Sequence, residues 1–239
     1  MWYKVKKIRV GTQQVRPTGW TPGSNTIAYY PLTSETTVND ISGNNRNLTN
    51  NWVTFWTYGW ISCASFPNAN EKRLSWTLPL TWNKIFTVNV YIWRVWNSIY
   101  YSTVSSQIFV LWNIGSSWWC FGTSINNSTA PTPNVYINYT WWSDKLSSYT
   151  NTMGQRELIT VVNDTSTIKM YRNWTLINNN SISFSVNSTN FTIGSFPTPT
   201  SRNYQNFYWY MSEFIVENKA WTSTEISNYF NQTKSKYWL

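Results

Sequence analysis

The stretch Phe86–Trp93, with the sequence FTVNVYIW, decides the fold class of this 239-residue chain. Its residues alternate between an apolar set and a mixed set: Phe86, Val88, Val90 and Ile92 against Thr87, Asn89, Tyr91 and Trp93. Successive side chains of a β-strand point to opposite faces of a sheet, so this alternation indicates a strand with one face on a core. We predict that the apolar set faces a hydrophobic core and that the mixed set faces the opposite side.

Similar short segments, separated by runs of Asn, Ser, Thr and Gly, extend this pattern in both directions. We predict strands in Thr26–Leu32, Gln107–Gly115, Asn134–Thr140, Glu157–Asp164, Asn190–Phe196 and Phe207–Asn218, and a hairpin from Ile168–Asn173 and Thr175–Asn179. Many short strands with turn signals between them are typical of an antiparallel sandwich. The predicted fold class is therefore all-β, a two-sheet antiparallel jelly-roll sandwich.

One short helix is predicted near the C-terminus. Thr222 and Glu225 form the T-x-x-E pattern of a capping box. Ile226, Tyr229 and Phe230 follow at the i, i+3, i+4 spacing of an apolar helix face.

The composition suits one large domain preceded by an arm. With 41% hydrophobic and 11% charged residues, disorder is not expected, and all-β folds of this length often form a single domain. Residues 3–10 alternate like a short edge strand, and residues 11–25 are rich in Gly, Pro and Thr like a linker. We predict residues 1–25 as an N-terminal arm and residues 26–239 as the sandwich.

The charge balance is basic, with 18 Lys and Arg against 9 Asp and Glu. The net charge of +9 raises the question of an anionic partner such as nucleic acid. Five of the basic residues lie in the first sixteen positions, and the others are scattered and form no basic stripe with interleaved aromatic residues. We predict a basic arm and no nucleic-acid partner. We also expect no membrane insertion and no signal peptide, because the sequence lacks a long apolar segment and an apolar stretch behind the basic N-terminus.

Two features argue against an enzyme. The chain contains no His, which removes the commonest general base and the commonest metal ligand. Glu213 and Glu217 share one face of a strand but lie about 13 Å apart at about 3.3 Å per residue, whereas the two carboxylates of a glycosidase lie about 5–9.5 Å apart. We therefore predict no catalytic residues and no enzymatic activity, with Glu213 as a structural residue.

Asp40 is the position at which a metal ion is considered. It lies with Ser42 and Asn44 in a D-x-S-G-N turn, and oxygen atoms of this kind are ligands of Ca²⁺. The alternative, which we prefer, is an Asx turn in which the Asp40 carboxylate accepts hydrogen bonds from its own backbone. No other cofactor is expected.

The binding hypothesis depends on the sheet faces that lie away from the core. The residues expected there are Asn89, Tyr91, Trp93, Arg94, Tyr136 and Asn138. Planar aromatic rings beside amide and guanidinium groups suit a glycan, because they combine an apolar face with hydrogen bonding. The alternative is that these are ordinary solvent-facing residues of a sheet.

Taken in order, these segments resemble the LamG-like members of the concanavalin A-like lectin/glucanase superfamily over about residues 27–234. The segments IAYYPL and NDISGNNRNLTN are similar to the opening strand and turn of the family, and ELITVVND with STIKMYRNWTLIN to its paired strands and hairpin. FYWYMSEFIVEN with KAWTSTEISNYF is similar to its closing strand and helical turn. The resemblance implies two antiparallel sheets that bind a glycan or cell-surface polysaccharide at the rim or the concave side.

The segment VKKIRVGTQQVRPTG resembles the leaders of phage virion and tail-fibre proteins. Together the resemblances imply a lectin-like adhesion module, extracellular or on a virion surface, whose arm contacts virion proteins or further copies of the chain. The alternative is a purely structural virion or envelope component.

Tryptophan is unusually frequent, with 18 Trp against 9 Gly. Trp174 follows Asn173 between two predicted strands, where a two-residue turn favours Asn-Gly. Trp209 replaces the Gly of the related closing strand, and Trp52, Trp56 and Trp60 lie where small turn residues are natural: all are candidates for recoded positions. One hypothesis is that UGA codons, read as glycine by the native bacterium or its phage, are translated here as tryptophan. The alternative is a genuinely Trp-rich carbohydrate-binding protein.

The two cysteines, Cys63 and Cys120, are too few for a disulfide framework. One bridge between strands is one alternative, and a pair of buried thiols is the other. The sequence leaves both open.

Overall fold

The computed structural model describes residues 20–33, 38–58, 61–66, 72–76, 85–93, 105–113, 120–126, 134–138, 145–150, 154–181, 189–194, 210–237 and 239. The edge strand predicted in residues 3–10 and the positions Trp60, Arg94 and Trp209 lie outside these residues. The strands and helices are β1 Thr26–Tyr30, β2 Thr49–Asn51, β3 Thr54–Tyr58, β4 Ile61–Ser65, β5 Arg73–Ser75, β6 Ile85–Trp93, β7 Ser105–Asn113, β8 Cys120–Asn126, β9 Asn134–Asn138, β10 Lys145–Thr150, β11 Arg156–Asp164, β12 Thr167–Arg172, β13 Thr175–Ser181, β14 Thr189–Ile193, β15 Tyr210–Glu217, α1 Ser223–Thr233 and the 3₁₀ helix η1 Lys234–Tyr237.

These strands form two sheets. The first sheet has the order β13-β12-β11-β6-β15-β4-β3, and β1 pairs with β15 as its eighth strand. The second sheet has the order β10-β9-β8-β7-β14-β5-β2. Every pairing between the described strands is antiparallel. The predicted all-β, two-sheet antiparallel sandwich with one short C-terminal helix is confirmed.

The main core lies between the two sheets. The four apolar residues predicted to face it from Phe86–Trp93 are all buried there. Phe191 of the second sheet contacts Phe214 of the first, with ring centroids 5.2 Å apart. The period-two alternation therefore identified the core-facing side of β6 correctly, because one face of that strand is excluded from water and packs against the opposite sheet.

A second cluster lies on the other face of the first sheet, beneath the C-terminal helix. The capping box is present, with the Thr222 hydroxyl accepting from the Glu225 backbone and the Glu225 side chain accepting from the Thr222 backbone. Ile226, Tyr229 and Phe230 of α1 are buried against the sheet, as their spacing predicts. The described part of the chain contains no helix long and apolar enough to cross a membrane.

The hairpin between β12 and β13 has a two-residue turn, Asn173–Trp174. Asn173 has a left-handed φ of 58°, whereas Trp174 does not lie in that region. The hairpin therefore closes with a single left-handed residue, and its backbone does not require glycine at Trp174. At Trp52, between β2 and β3, the backbone is left-handed with φ 62°, a conformation in which a bulky residue is strained.

Candidate functional site

The C-terminal helix covers part of the face on which binding residues were expected. The Tyr91 ring stacks on Tyr237 with centroids 3.8 Å apart, and the Tyr91 hydroxyl is hydrogen-bonded to the Thr233 hydroxyl. The Thr160 hydroxyl donates to Asn89 Oδ1 over 2.6 Å. Asn89 and Tyr91 are 1% and 2% exposed. Contrary to the prediction, both residues are inaccessible to a ligand. The reason is that the predicted C-terminal helix packs against the predicted strand β6.

The remaining predicted residues fall in different places. Trp93 is half-buried at the end of β6. Tyr136 and Asn138 lie on β9, which belongs to the second sheet. The structure therefore does not bring the β6 and β9 residues onto one sheet.

A row of paired residues crosses five strands of the first sheet at the level of Trp93. Trp93 pairs with Arg156 on one side and with Tyr210 on the other. Tyr210 pairs with Ser65, and Ser65 with Thr54. We call these five residues the aromatic row.

The aromatic row faces away from the main core. The adjacent row, made of Ile92, Met211, Ala64 and Phe55, pairs in the same way and is buried in the main core. Because successive residues of a strand point to opposite faces, the aromatic row points to the outer face. Thr54 is exposed, and Ser65, Tyr210 and Trp93 are half-buried.

The centre of the row is a cationic and aromatic stack. The Arg156 guanidinium carbon lies 4.5 Å from the centroid of the Trp93 ring. The rings of Trp93 and Tyr210 are 5.4 Å apart and inclined by 36°. Arg156 also donates from Nη1 to the Tyr237 carbonyl over 3.4 Å, which ties the row to the C-terminal segment. These contacts hold the two rings side by side, with hydroxyl groups next to them.

Sequence reasoning found Trp93 but missed its partners. Arg156 and Tyr210 lie far from Trp93 in the chain, and only the register of β11, β6 and β15 brings them together. Since a one-residue slip reverses which face a side chain occupies, no local pattern specifies this grouping.

Glu213 binds side chains of the C-terminal segment and does not lie in an accessible site. It occupies a bulge in β15 with φ 58° and is 0% exposed. Its carboxylate accepts from the Tyr229 hydroxyl over 2.7 Å, from Lys236 Nζ over 2.9 Å and from the Tyr237 hydroxyl. On the same face, Glu217 accepts from the Thr26 hydroxyl over 2.7 Å, and burial raises its pKa. Glu213 thus fastens the C-terminal segment to the sheet.

The Asp40 carboxylate accepts four hydrogen bonds in its turn. Its Oδ1 accepts from the backbone amides of Tyr29 and Ser42, and its Oδ2 from the Ser42 hydroxyl and the Arg46 amide, at 2.9–3.0 Å. Each carboxylate oxygen therefore accepts two hydrogen bonds, and the bond from the Ser42 amide is that of an Asx turn. The described residues contain no cluster of three or more His, Cys, Asp or Glu that could hold a metal. The turn geometry is that of the Asx alternative.

Cys63 is a free thiol on β4, buried on the outer face of the first sheet. It donates to the Trp56 carbonyl over 3.4 Å. Burial raises the pKa of this thiol to about 11, although nearby Arg156 works in the opposite direction.

No model of a known protein family matches this chain, and no curated protein matches it by sequence. Solved structures do share its fold. The sialidase of Trypanosoma rangeli, bound to 2,3-difluorosialic acid, matches with a TM-score of 0.69 at 10% identity over 87% of this chain. This chain spans 33% of the sialidase chain, so the likeness concerns a third of that protein.

Two further structures share the fold over most of this chain. Domain 4 of AbnA, a GH43 extracellular arabinanase from Geobacillus stearothermophilus in complex with arabinotriose, matches with a TM-score of 0.61 at 12% identity, over 85% of this chain and 97% of that domain. The receptor-binding domain of botulinum neurotoxin type G matches with a TM-score of 0.59 at 15% identity, over 87% of this chain and 51% of that chain. The chain has the jelly-roll, lectin-like fold of these domains.

The prediction that the chain is not an enzyme is contradicted by these neighbours, which include several sialidase structures and a domain of an arabinanase. That prediction rested on the absence of His and on the spacing of Glu213 and Glu217. The spacing argument excludes only one arrangement, in which two acids on a single strand form the catalytic pair. It does not exclude enzymatic activity in a fold that also occurs within glycosidases. At 10% identity the sialidase likeness shows the fold alone and assigns no catalytic residue.

Proposed function

We propose that the chain is a carbohydrate-binding module whose ligand contacts the aromatic row. The observation that carries this proposal is the pair of half-buried rings, Trp93 and Tyr210, held side by side on the outer face. Aromatic rings offer the apolar face of a sugar a flat surface, and the neighbouring hydroxyls of Ser65 and Thr54 supply donors and acceptors. A mostly apolar surface with a few fixed polar groups is typical of ligand sites.

The structural neighbours support the class of ligand. The arabinanase domain was solved with arabinotriose, and the neurotoxin domain is a receptor-binding domain. Proteins of this fold thus include one that binds a sugar and one that binds a receptor. We assign glycan to this chain on the basis of its own aromatic row.

The proposal extends to the setting of the protein. A LamG-like module at a bacterial or phage surface, in an extracellular or virion location, agrees with the order of the sequence motifs and with the basic residues in the first sixteen positions. In that setting residues 1–25 connect the module to a larger assembly. The codon for Trp52 in the gene tests the recoded origin. Because the backbone at this position is left-handed, the recoded origin requires UGA there.

Binding to a glycan array tests the proposed function, with titration calorimetry on each sugar that binds. We expect Trp93→Ala and Tyr210→Ala to weaken binding at least about tenfold, which corresponds to about 1.4 kcal/mol. Ile85→Ala is the matched control, since Ile85 is an exposed apolar residue at the opposite end of the same strand. A blank array, or binding that both row variants retain in full, would refute the assignment.

A further inference from the structure

We propose that the ligand is an oligosaccharide that runs across β15, β4 and β3, with Trp56 as a second aromatic contact. This inference rests on the proposed function and deepens it, because it gives the site a length and a direction. It takes Trp56 as an encoded tryptophan, which is the alternative to the recoding hypothesis. Trp56 is 63% exposed and follows Thr54 of the aromatic row by two residues on β3. It therefore points to the same outer face as the row.

The separation between the two aromatic contacts excludes a ligand of one sugar ring. β15 and β4 lie between Trp93 on β6 and Trp56 on β3. Three strand spacings of about 4.8 Å place the two positions roughly 14 Å apart across the sheet. A ligand that stacks on both must be a chain of several sugar rings, directed across the strands.

The side chains on the outer face of β4 and β3 between these two contacts are small. Ser65 belongs to the aromatic row, and Cys63, on the same face of β4, is opposite Trp56. The Cys63 thiol is buried and donates to the Trp56 carbonyl, so it does not project into the path. The Thr54 hydroxyl donates to the Ser65 carbonyl over 3.5 Å and remains exposed. Aromatic rings with the hydroxyl groups of Ser65 and Thr54 between them suit an extended sugar chain.

The experiment compares oligosaccharides of different lengths. Titration calorimetry measures binding of arabino-, xylo- and gluco-oligosaccharides, from the monosaccharide to the hexasaccharide, to the full chain and to its Trp56→Ala and Trp93→Ala variants. Because a second linked contact forms intramolecularly, we expect the affinity of the unmodified chain to rise about tenfold or more with length and then to level off. Trp56→Ala should bind the shortest ligand as the unmodified chain does and lose the gain with length.

Trp93→Ala, in contrast, should weaken binding at every length, and Ile85→Ala should change nothing. An affinity independent of length, or a Trp56→Ala variant that keeps the full gain, overturns the oligosaccharide inference and leaves the proposed function standing. If the unmodified chain binds none of these oligosaccharides and none of the sugars on the array, both the oligosaccharide inference and the proposed function are overturned. Thermal unfolding of each variant confirms that it is folded, which the high exposure of Trp56 leads us to expect.

Discussion

Two of the described tryptophans, Trp76 and Trp52, differ in a way that the sequence does not predict. Trp76 is buried in the main core, where its ring contacts Tyr30 and Phe191. Trp52 is 80% exposed on a left-handed backbone. Burial therefore justifies a large ring at Trp76, whereas nothing in the packing justifies one at Trp52.

Trp52→Gly should stabilise the protein by about 1 kcal/mol, because it removes left-handed strain that costs roughly 1–3 kcal/mol and gives back part of it in unfolded-chain entropy. Urea unfolding measures the change. Trp56→Gly is the matched control, since Trp56 is also exposed but lies inside β3. There glycine should cost about 0.5–1 kcal/mol. Stabilisation by both substitutions, or by neither, would contradict the conformational explanation.

Cys63 should react slowly with thiol reagents in the folded protein. Only the thiolate attacks, and burial holds the Cys63 pKa at about 11. With Cys120 replaced by Ser, absorbance after addition of a disulfide reagent at pH 8 reports Cys63 alone. We expect the rate to rise by orders of magnitude on unfolding in urea. Rapid modification of the folded variant would show that the thiol is accessible.

At the scale of the element, a strong local signal predicts that an element exists and of which type it is. It does not predict which other elements lie next to it in the fold. The alternation of β6 and the capping box of α1 each predict their element correctly, since each is a local signal. Neither signal states that α1 lies on Tyr91, or that β15 places Tyr210 beside Trp93. Those facts depend on sheet order and on the bulge at Glu213, which are non-local.

The helix should depend on the buried Glu213 carboxylate. Tyr229→Phe removes a hydroxyl that donates to it over 2.7 Å. Hydrogen bonds to charged groups contribute about 1.5–3 kcal/mol, so we expect a loss of that size in urea unfolding. Asn228→Ala, at an exposed position of the same helix, should change stability by less than about 0.5 kcal/mol. Equal effects of the two substitutions would show that the hydrogen bond to the Glu213 carboxylate does not stabilise the helix.

The turn between β11 and β12 should make stability depend on acid pH. Although burial works in the opposite direction, hydrogen bonds from Lys169, Thr167 and Ser166 lower the pKa of Asp164 below its usual value of 3.8. A depressed carboxyl pKa stabilises the fold above that usual value, and the contribution is lost as the pH falls toward the folded-state pKa. Asp164→Asn should therefore be less stable than the unmodified chain at pH 7 and approach it below pH 3.8. A difference that is constant with pH would contradict this assignment.

At the scale of the whole molecule, the first sheet is shared by two separate clusters. The main core joins it to the second sheet, and the cluster beneath α1 joins it to the C-terminal segment. The main core contains the residues that connect the two layers, whereas the second cluster involves a single short helix and its 3₁₀ extension. Local opening requires less free energy where fewer buried contacts are lost.

The two clusters should consequently differ in how they unfold. Phe191 is 0% exposed in the main core and Phe230 is 2% exposed beneath the helix, so the two Phe→Ala substitutions are matched in size and burial. Phe191→Ala should lower global stability by about 3–5 kcal/mol. Phe230→Ala should mainly accelerate amide hydrogen exchange in α1 and η1 and uncover Tyr91, while exchange in β11 and β6 away from the helix stays near that of the unmodified chain. Hydrogen-exchange mass spectrometry separates these outcomes: if both variants exchange uniformly through global unfolding, the sheet and its helix form one cooperative unit, and the division into two clusters is wrong.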